Sequence, residues 1–307
     1  MTLLRAPGQR GRAFLASMSV PARGISLLLL SLALFTLMDT AAKHLGGRYH
    51  PGQVVWARFA VNALALALIF RARLPGLVRS RQPGLQFVRA LTQVATVTLY
   101  FLSIRYIGLA EAAALTDLNP VLITLGAALF LGERLGVRRL AGIGVAFVGA
   151  MIVIRPGAGV MHPAAFLALG AAFTYAAGAL LTRVVRSDGV ITSMLWSALV
   201  GTAVSALVLP FVWQPVAVGD LWAFLAMGLL GTAAQGLLIR AFSMAEASML
   251  APFGYAGLVF SSASGWAFFG QLPDRWTVLG ALVIVAAGIY VWHRETRAAR
   301  GEHRTTA

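Results

Sequence analysis

Long apolar runs alternate with short polar connections along almost the whole chain. A membrane-spanning helix needs ~20 mostly apolar residues, and ten runs reach about that length, with connections too short for a soluble domain. The pattern predicts an all-α membrane protein with ten transmembrane helices. The predicted spans are residues 24–43, 52–70, 85–104, 109–130, 136–154, 163–182, 190–212, 219–239, 245–269 and 276–293.

Composition points to the same class of protein. Hydrophobic residues make up 59% of the 307 positions and charged residues 11%, whereas a soluble domain carries roughly 25% charged residues. The chain has no cysteine, which excludes disulfides, thiolate metal sites and cysteine nucleophiles, and its five histidines show no metal-ligand spacing. We therefore expect no metal and no cofactor.

The net charge of +15 raises the question of nucleic-acid binding. The basic residues lie in short clusters between apolar runs, with no basic face and no aromatic RNA-binding motif, so no nucleic-acid partner is expected. If the N-terminus is cytoplasmic, 18 of the 25 Lys and Arg residues fall in cytoplasmic segments and 5 in outer ones. Because cytoplasmic loops carry excess Lys and Arg, both basic tails, residues 1–23 and 294–307, are predicted to be cytoplasmic in a bacterial inner membrane.

The two halves of the chain resemble each other. The stretch "SIRYIGLAEAA" from Ser103 matches "LIRAFSMAEAS" from Leu238, and "LFLGERL" matches "AFFGQLP" further along each half. Each half, residues 24–155 and 162–293, holds five predicted spans, so the second half must enter the membrane inverted. Inverted repeats are typical of secondary transporters, whose solute site lies near the midplane at the repeat interface, although repeats also occur in membrane proteins that transport nothing.

These features make residues 24–293 resemble the EamA type of the drug/metabolite transporter superfamily. The resemblance rests on the two five-span halves, on "AEA" near the start of the fourth span of each half, and on "LTDLNPVLITLGAALFLGERL" and "APFGYAGLVFSSASGWAFFG". It implies a transporter built of two inverted five-helix repeats. Gln271 departs from the pattern, because the family usually has Glu at the position that matches Glu133. The sequence is also similar to the YddG-type aromatic amino-acid exporters.

An acidic residue lies deep in the fourth span, in the sequence "TDLNP". Asp117 is about 12 Å from the outer end of that span, where a charge is costly. Pro120 weakens the helix beside it, which is tolerated at this depth only next to protein or a water-filled cavity. Asp117 and Asn119 are therefore predicted to line a solute-accessible cavity. The alternative is an Asp117 bonded to Thr or Ser of a neighbouring helix.

Two further charged residues lie at a comparable depth in the first two spans. Asp39 is roughly 6–9 Å and Arg58 roughly 10 Å from the outer surface, so the two can pair, and Lys43 is an alternative partner for Asp39 at i,i+4. One interpretation is a structural ion pair near the interface. The other is that Asp39 and Arg58 line the solute path.

Polar and aromatic residues in the middle of other spans complete the candidate cavity. An aromatic and hydrogen-bonding lining suits an amphiphilic solute, although core packing explains any one of these residues equally well. The candidates are Gln93, Tyr100, Tyr175, Gln235 and Tyr255.

The function predicted from these features is secondary export of small metabolites, with amino acids, and aromatic ones first, as the preferred solutes. The alternative is import or exchange of another small solute, such as a nucleotide-like cofactor or a polyamine. An intramembrane enzyme is not expected, because no nucleophile motif, metal-binding set or His–Glu cluster is present, and no ATP-binding loop occurs. The expected partners are the small solute and the lipid bilayer, and the expected state is a monomer.

Overall fold

The structure, a computed structural model, describes residues 20–131, 136–155, 162–185, 187–245 and 247–305. Every regular element in these residues is a helix, which confirms the predicted all-α class. Most of the predicted N-terminal tail lies outside them, while the last helix continues through residues 294–305. The helices are α1 (Val20–Gly46), α2 (Pro51–Phe70), α3 (Leu74–Leu77), α4 (Pro83–Tyr106), α5 (Leu109–Thr116), α6 (Asn119–Leu131), α7 (Val137–Ile154), α8 (Ala164–Val184), α9 (Val190–Ala206), α10 (Leu209–Val212), α11 (Leu221–Met244), α12 (Ala247–Gly254), α13 (Ala256–Phe269) and α14 (Arg275–Thr305).

Helix length and hydropathy mark the chain as a multi-pass membrane protein. Seven candidate spans occur within the described residues, and they involve α1, α2, α4, α5 with α6, α8, α11 and α14. The predicted fifth and seventh spans are the shorter apolar helices Leu140–Ile154 and Val190–Ala206. The predicted ninth span is divided between α12 and α13. Helix length alone therefore does not reach the predicted number of ten.

Three helix pairs make the most extensive contacts: α1 with α11, α4 with α8, and α7 with α14. A glycine lies in each contact where a side chain would collide. A Cβ at Gly231 of α11 would lie 2.8 Å from the sulfur of Met38, and one at Gly178 of α8 would lie 2.7 Å from Oγ1 of Thr92. A Cβ at Gly149 of α7 would lie 2.9 Å from a backbone oxygen of α14. Small residues let backbones approach closely, which is how helices associate within lipid.

Hydroxyl groups bond across two of these pairs. Ser31 Oγ of α1 donates to the carbonyl oxygen of Ala234 in α11 over 2.7 Å. Thr96 Oγ1 of α4 donates to Thr174 Oγ1 of α8 over 2.9 Å. Both bonds lie inside long apolar helices, where a hydroxyl without a partner would cost free energy, and they fix the register of each pair.

A carboxylate ties together the loops at one end of the helix bundle. Asp220, just before α11, accepts hydrogen bonds from Arg48 Nη1 and from the Tyr49 hydroxyl, each over 2.8 Å. Tyr49 in turn accepts a bond from the backbone amide of Ala217 over 3.0 Å. The end of α1 is thereby fastened to the start of its partner helix α11.

A second carboxylate connects the loop before α4 to the loop after α8. Asp188, which follows α8, accepts bonds from Ser80 Oγ over 2.5 Å, from the backbone amide of Arg81 over 3.0 Å and from Gln86 Nε2 over 3.0 Å. The bonds from Ser80 and Arg81 hold the pKa of the Asp188 carboxyl below its ordinary value of 3.8. The carboxylate is therefore ionised at neutral pH, and it fastens the start of α4 to the end of α8.

Arg89 of α4 is a buried cation that is bonded to neutral groups. Its Nε donates to Gln86 Oε1 over 3.0 Å, and its Nη2 donates to Ser197 Oγ of α9 over 2.7 Å and to the Ser193 carbonyl. Hydrogen bonding reduces the cost of burying a guanidinium. This side chain joins α4 to α9, and that structural role explains why a cation is buried here.

Candidate functional site

Two of the predicted spans are interrupted at their middle. The fourth consists of α5 and α6, with a break at residues 117–118, and the ninth consists of α12 and α13, with Tyr255 at the break. The break beside Pro120 is the one that the sequence predicted. Proline has no backbone N–H, so the Thr116 carbonyl lacks the donor that an intact helix would supply. In the ninth span, Pro252 lies inside α12 just before the break.

Both breaks carry polar atoms that are buried and unpaired. One carboxylate oxygen of Asp117, the side-chain oxygen of Asn119 and the hydroxyl of Tyr255 have no hydrogen-bond partner among the described residues. The Asp117 carboxylate acts electrostatically on the hydroxyls of Tyr255 and Tyr100, so groups from α4, α5 and the break before α13 share one neighbourhood. Asp117 and Tyr255 do not bond to each other.

An unpaired buried polar group costs about 1–3 kcal/mol. The structural alternative required a bond from a hydroxyl of a neighbouring helix. Within the described part of the chain, Asp117 has neither such a hydroxyl nor a basic partner. Thr116 Oγ1, the nearest hydroxyl along the chain, donates to the carbonyls of Ala112 and Ala113 instead. The arrangement leaves this carboxylate oxygen buried without a protein partner in the described residues.

A second polar group is formed by Asp39 of α1, Arg58 of α2 and Tyr100 of α4. The Tyr100 hydroxyl donates to Asp39 Oδ2 over 3.2 Å, and Arg58 interacts electrostatically with both. The guanidinium of Arg58 lies over the ring of Phe101, 5.2 Å from its centroid, which is a favourable cation–π distance. Asp39 and Arg58 are therefore neighbours, although no direct ion pair joins them within the described chain.

Lys43 is not the partner of Asp39. Its ammonium donates to the carbonyl oxygens of Ile104 and Ile107, over 2.5 and 2.6 Å. These are the carbonyls at the end of α4, where a helix has unsatisfied acceptors and a negative dipole end. Arg58 is thus the basic side chain that compensates Asp39.

Tyr175 is exposed on a side of α8 that is otherwise packed. Ala168 and Ala171 precede it by seven and four residues, which places all three on one side of the helix, and both alanines are 0% exposed. Phe166 and Phe173, on the opposite side, are 49% and 46% exposed, as expected of lipid-facing residues. Tyr175 is nevertheless 42% exposed, unlike the two alanines on its side of the helix.

The remaining candidates are less constrained, and one polar residue was missed. Gln93 of α4 and Gln235 of α11 are half-buried and take no part in the hydrogen bonds described above. Asn62 of α2 was not predicted, yet its side-chain oxygen is buried without a partner in the described chain. It lies four residues after Arg58, on the same face of α2, and that spacing is the signal that would have identified it.

An apolar groove of about 290 Å³ lies apart from these groups, between α2, the 213–216 segment and α11. Trp56, Trp213 and Phe224 form part of its wall, and Gln53 is the polar residue there. The Gln53 amide is already used, because it donates to the Gln214 carbonyl over 2.9 Å. The groove offers little to a polar solute and holds none of the candidate residues.

The position of Tyr255 depends on a glycine in α14. A Cβ at Gly288 would collide with the Tyr255 hydroxyl. Gly288→Ala is expected to move this ring and to lower transport several-fold, with a stability loss of about 1–3 kcal/mol from overpacking. Initial uptake rates at matched protein levels, together with thermal unfolding, measure the two effects.

Gly144→Ala is the matched control, because a Cβ at Gly144 would meet nothing within 4 Å. It should leave both readouts unchanged. If Gly288→Ala also transports at the normal rate, the Tyr255 hydroxyl is not needed where the structure places it.

Comparison with known proteins gives a consistent result. The sequence profile of the EamA-like transporter family matches the chain twice, over residues 22–155 and 162–292. A crystal structure that is 18% identical covers 90% of this chain and 99% of its own, with a TM-score of 0.61. At that identity the likeness shows a shared fold alone.

Several characterised relatives span most of the chain and are named for different solutes. The pseudopaline exporter CntI of Pseudomonas aeruginosa is 28% identical over 87% of this chain and 94% of its own. The S-adenosylmethionine uptake transporter of Rickettsia bellii is 26% identical over 90% and 95%. The riboflavin transporter of Vibrio cholerae is 29% identical over 73% and 76%.

Proposed function

Because the chain belongs to the EamA-like transporter family, we propose that it is a secondary transporter which carries a small solute by alternating access, through a site where the two interrupted helices meet. Transport, and not enzyme chemistry, is common to the named relatives. One observation carries the location of the site: both breaks hold buried polar atoms that lack partners among the described residues. Discontinuous membrane helices form solute sites in many secondary transporters.

The proposed architecture is ten spans in two inverted repeats, residues 24–155 and 162–293, with both termini on the cytoplasmic side of a bacterial inner membrane. The helix contacts support it. The contact of α1 with α11 joins the first predicted span to the eighth, and that of α4 with α8 joins the third to the sixth. Moving every span five places along the chain turns one pair into the other, as a two-fold repeat requires. The two interruptions exchange in the same way.

Amino acids moving outward, with aromatic ones first, are the solutes we propose. The groups that would form the site suit a zwitterion with a ring. Asp117 can face an ammonium group, Arg58 can face a carboxylate, and the rings of Tyr100, Tyr175 and Tyr255 can pack against an aromatic side chain. Gln93, Asn119 and Gln235 would supply further hydrogen bonds, and Asp39 would hold Arg58 in place.

Uptake of a larger cofactor-like solute is the second candidate. The specific observation in its favour is that two of the relatives are named as a riboflavin transporter and an S-adenosylmethionine uptake transporter. The fold permits either direction, since an alternating-access protein moves its solute along whatever gradient drives it.

Counterflow into liposomes that contain the purified protein tests the proposal. The vesicles are preloaded with one unlabelled solute and given its labelled form outside, with and without a pH gradient. The panel holds the common amino acids, S-adenosylmethionine and riboflavin. Accumulation of at least one solute above that in protein-free vesicles is expected. If none accumulates, the proposed function fails.

A further inference from the structure

The unpaired atoms at the junction of the interrupted helices are mainly hydrogen-bond acceptors. Asp117 contributes a carboxylate oxygen and Asn119 an amide oxygen, both buried without partners in the described residues. The Thr116 carbonyl has lost its helical donor, because Pro120 lacks an N–H. The Tyr255 hydroxyl can either donate or accept. A ligand that satisfied this set would have to bring several donors.

The charge of the surroundings has a definite sign. Arg58 compensates Asp39 and lies over Phe101, so this pair contributes no net charge. No basic side chain compensates Asp117 within the described chain. The end of α5 contributes a negative dipole charge and the start of α6 a positive one of similar size, and these two oppose each other. Asp117 is therefore the group that decides the sign, and a cation bound beside it would hold this carboxylate in its ionised, negative form.

We infer that the junction of the interrupted helices holds the cationic nitrogen or other onium centre of the solute, and that a positively charged donor group is a requirement for transport. This inference rests on the proposed solute site, and it narrows the solute class to compounds that carry a protonated amine, a guanidinium or a sulfonium. Amino acids and S-adenosylmethionine meet this requirement. Riboflavin and those N-acylated amino acids whose side chains are not basic have no cationic centre at neutral pH, and they do not meet it.

Matched probes in the same liposomes test whether transport requires a positively charged group on the solute. Common amino acids whose side chains are not basic are compared with their N-acetyl counterparts, which keep the side chain and the carboxylate but lose the cation. Phenethylamine and 3-phenylpropionate separate the two charges, and S-adenosylmethionine and riboflavin are included. We expect accumulation of cationic members only.

Asp117→Asn identifies the partner of the cation, because asparagine keeps the shape and removes the charge. We expect at least a tenfold lower accumulation of the cationic probe, and partial recovery in Asp117→Glu. Asp274→Asn, at an exposed carboxylate paired with Arg155, should behave as the wild type.

The outcomes separate the inference from the proposed function. If N-acetyl amino acids or riboflavin accumulate as well as the free amines, the protein is a transporter but the cation requirement is wrong. The same conclusion holds if Asp117→Asn accumulates the cationic probes as well as the wild type does. If no probe accumulates, both the inference and the proposed function are rejected.

Discussion

Replacing Asp117 with leucine is expected to abolish transport while the protein stays folded. Leucine removes the carboxylate at similar volume. Loss of one partner from a buried charged contact costs about 2–5 kcal/mol, which corresponds to a fall in transport of roughly a hundredfold. Stability should be unchanged or higher, because the variant removes a buried oxygen that has no partner in the described chain and whose burial costs about 1–3 kcal/mol. Uptake rates and thermal unfolding of the purified protein measure these opposite effects.

Asp274→Leu provides the control with the reverse pattern. Asp274 pairs with Arg155 over 2.7 Å and accepts a bond from the backbone amide of Thr277 at the start of α14. Loss of such a helix cap costs about 1 kcal/mol, while transport should continue. If Asp117→Leu instead unfolds, or transports normally once folded, the residue is structural.

Cysteine at position 117 gives a direct measure of access, because the natural chain contains no cysteine. A water-soluble thiol reagent should label Asp117→Cys in at least one state of the transport cycle. Complete protection, both with and without solute, would place this side chain outside the solute path.

The second large effect is expected on folding, at the contact of α7 with α14. A Cβ at Gly149 would lie 2.8 Å from Cγ1 of Ile284 and 2.9 Å from the carbonyl oxygen of Gly280. A backbone oxygen cannot rotate away, so Gly149→Val must force the two helices apart. Overpacking typically costs 1–3 kcal/mol and occasionally more, and we expect about 3 kcal/mol or above here, with much less folded protein recovered in detergent.

Gly144→Val is the matched variant on the same helix. It has the same helix propensity cost, but a Cβ at Gly144 would meet nothing within 4 Å. Thermal unfolding should therefore separate the two variants clearly. Equal unfolding temperatures would show that the close approach of α7 and α14 does not contribute to stability.

The parts of this structure that sequence could predict are those with a local cause. Apolar runs of spanning length gave the positions of the long helices, since lipid requires a helix to satisfy its own backbone. Pro120 gave the break after α5, because the missing N–H acts on the carbonyl four residues before it. The sequence predicted Asp117 as a cavity residue because a carboxylate at that depth in a membrane costs free energy.

The parts that sequence could not predict depend on which helices meet. The ninth span was read as one continuous helix over residues 245–269, and its break at Tyr255 was not predicted, although Pro252 marks the place. Spacing offered both Arg58 and Lys43 as partners for Asp39, and only the packing of α1 against α4 decides between them. Tyr100 was predicted to line the cavity, but its bond to Asp39 was not predicted. A contact between two helices produces no periodic pattern in the sequence.

The pairing of α1 with α11, α4 with α8 and α7 with α14 also determines when the protein can assemble during synthesis. In each pair one helix lies before residue 156 and the other after residue 161. A ribosome that has finished α7 has therefore made three helices, α1, α4 and α7, whose main partners do not yet exist. A nascent soluble chain in this position would expose its core to water, but lipid tails cover apolar helix faces at little cost. The first half can therefore remain in the bilayer without these partners. Its close packing begins when α8 has been made and packs against α4, and it continues when α11 packs against α1.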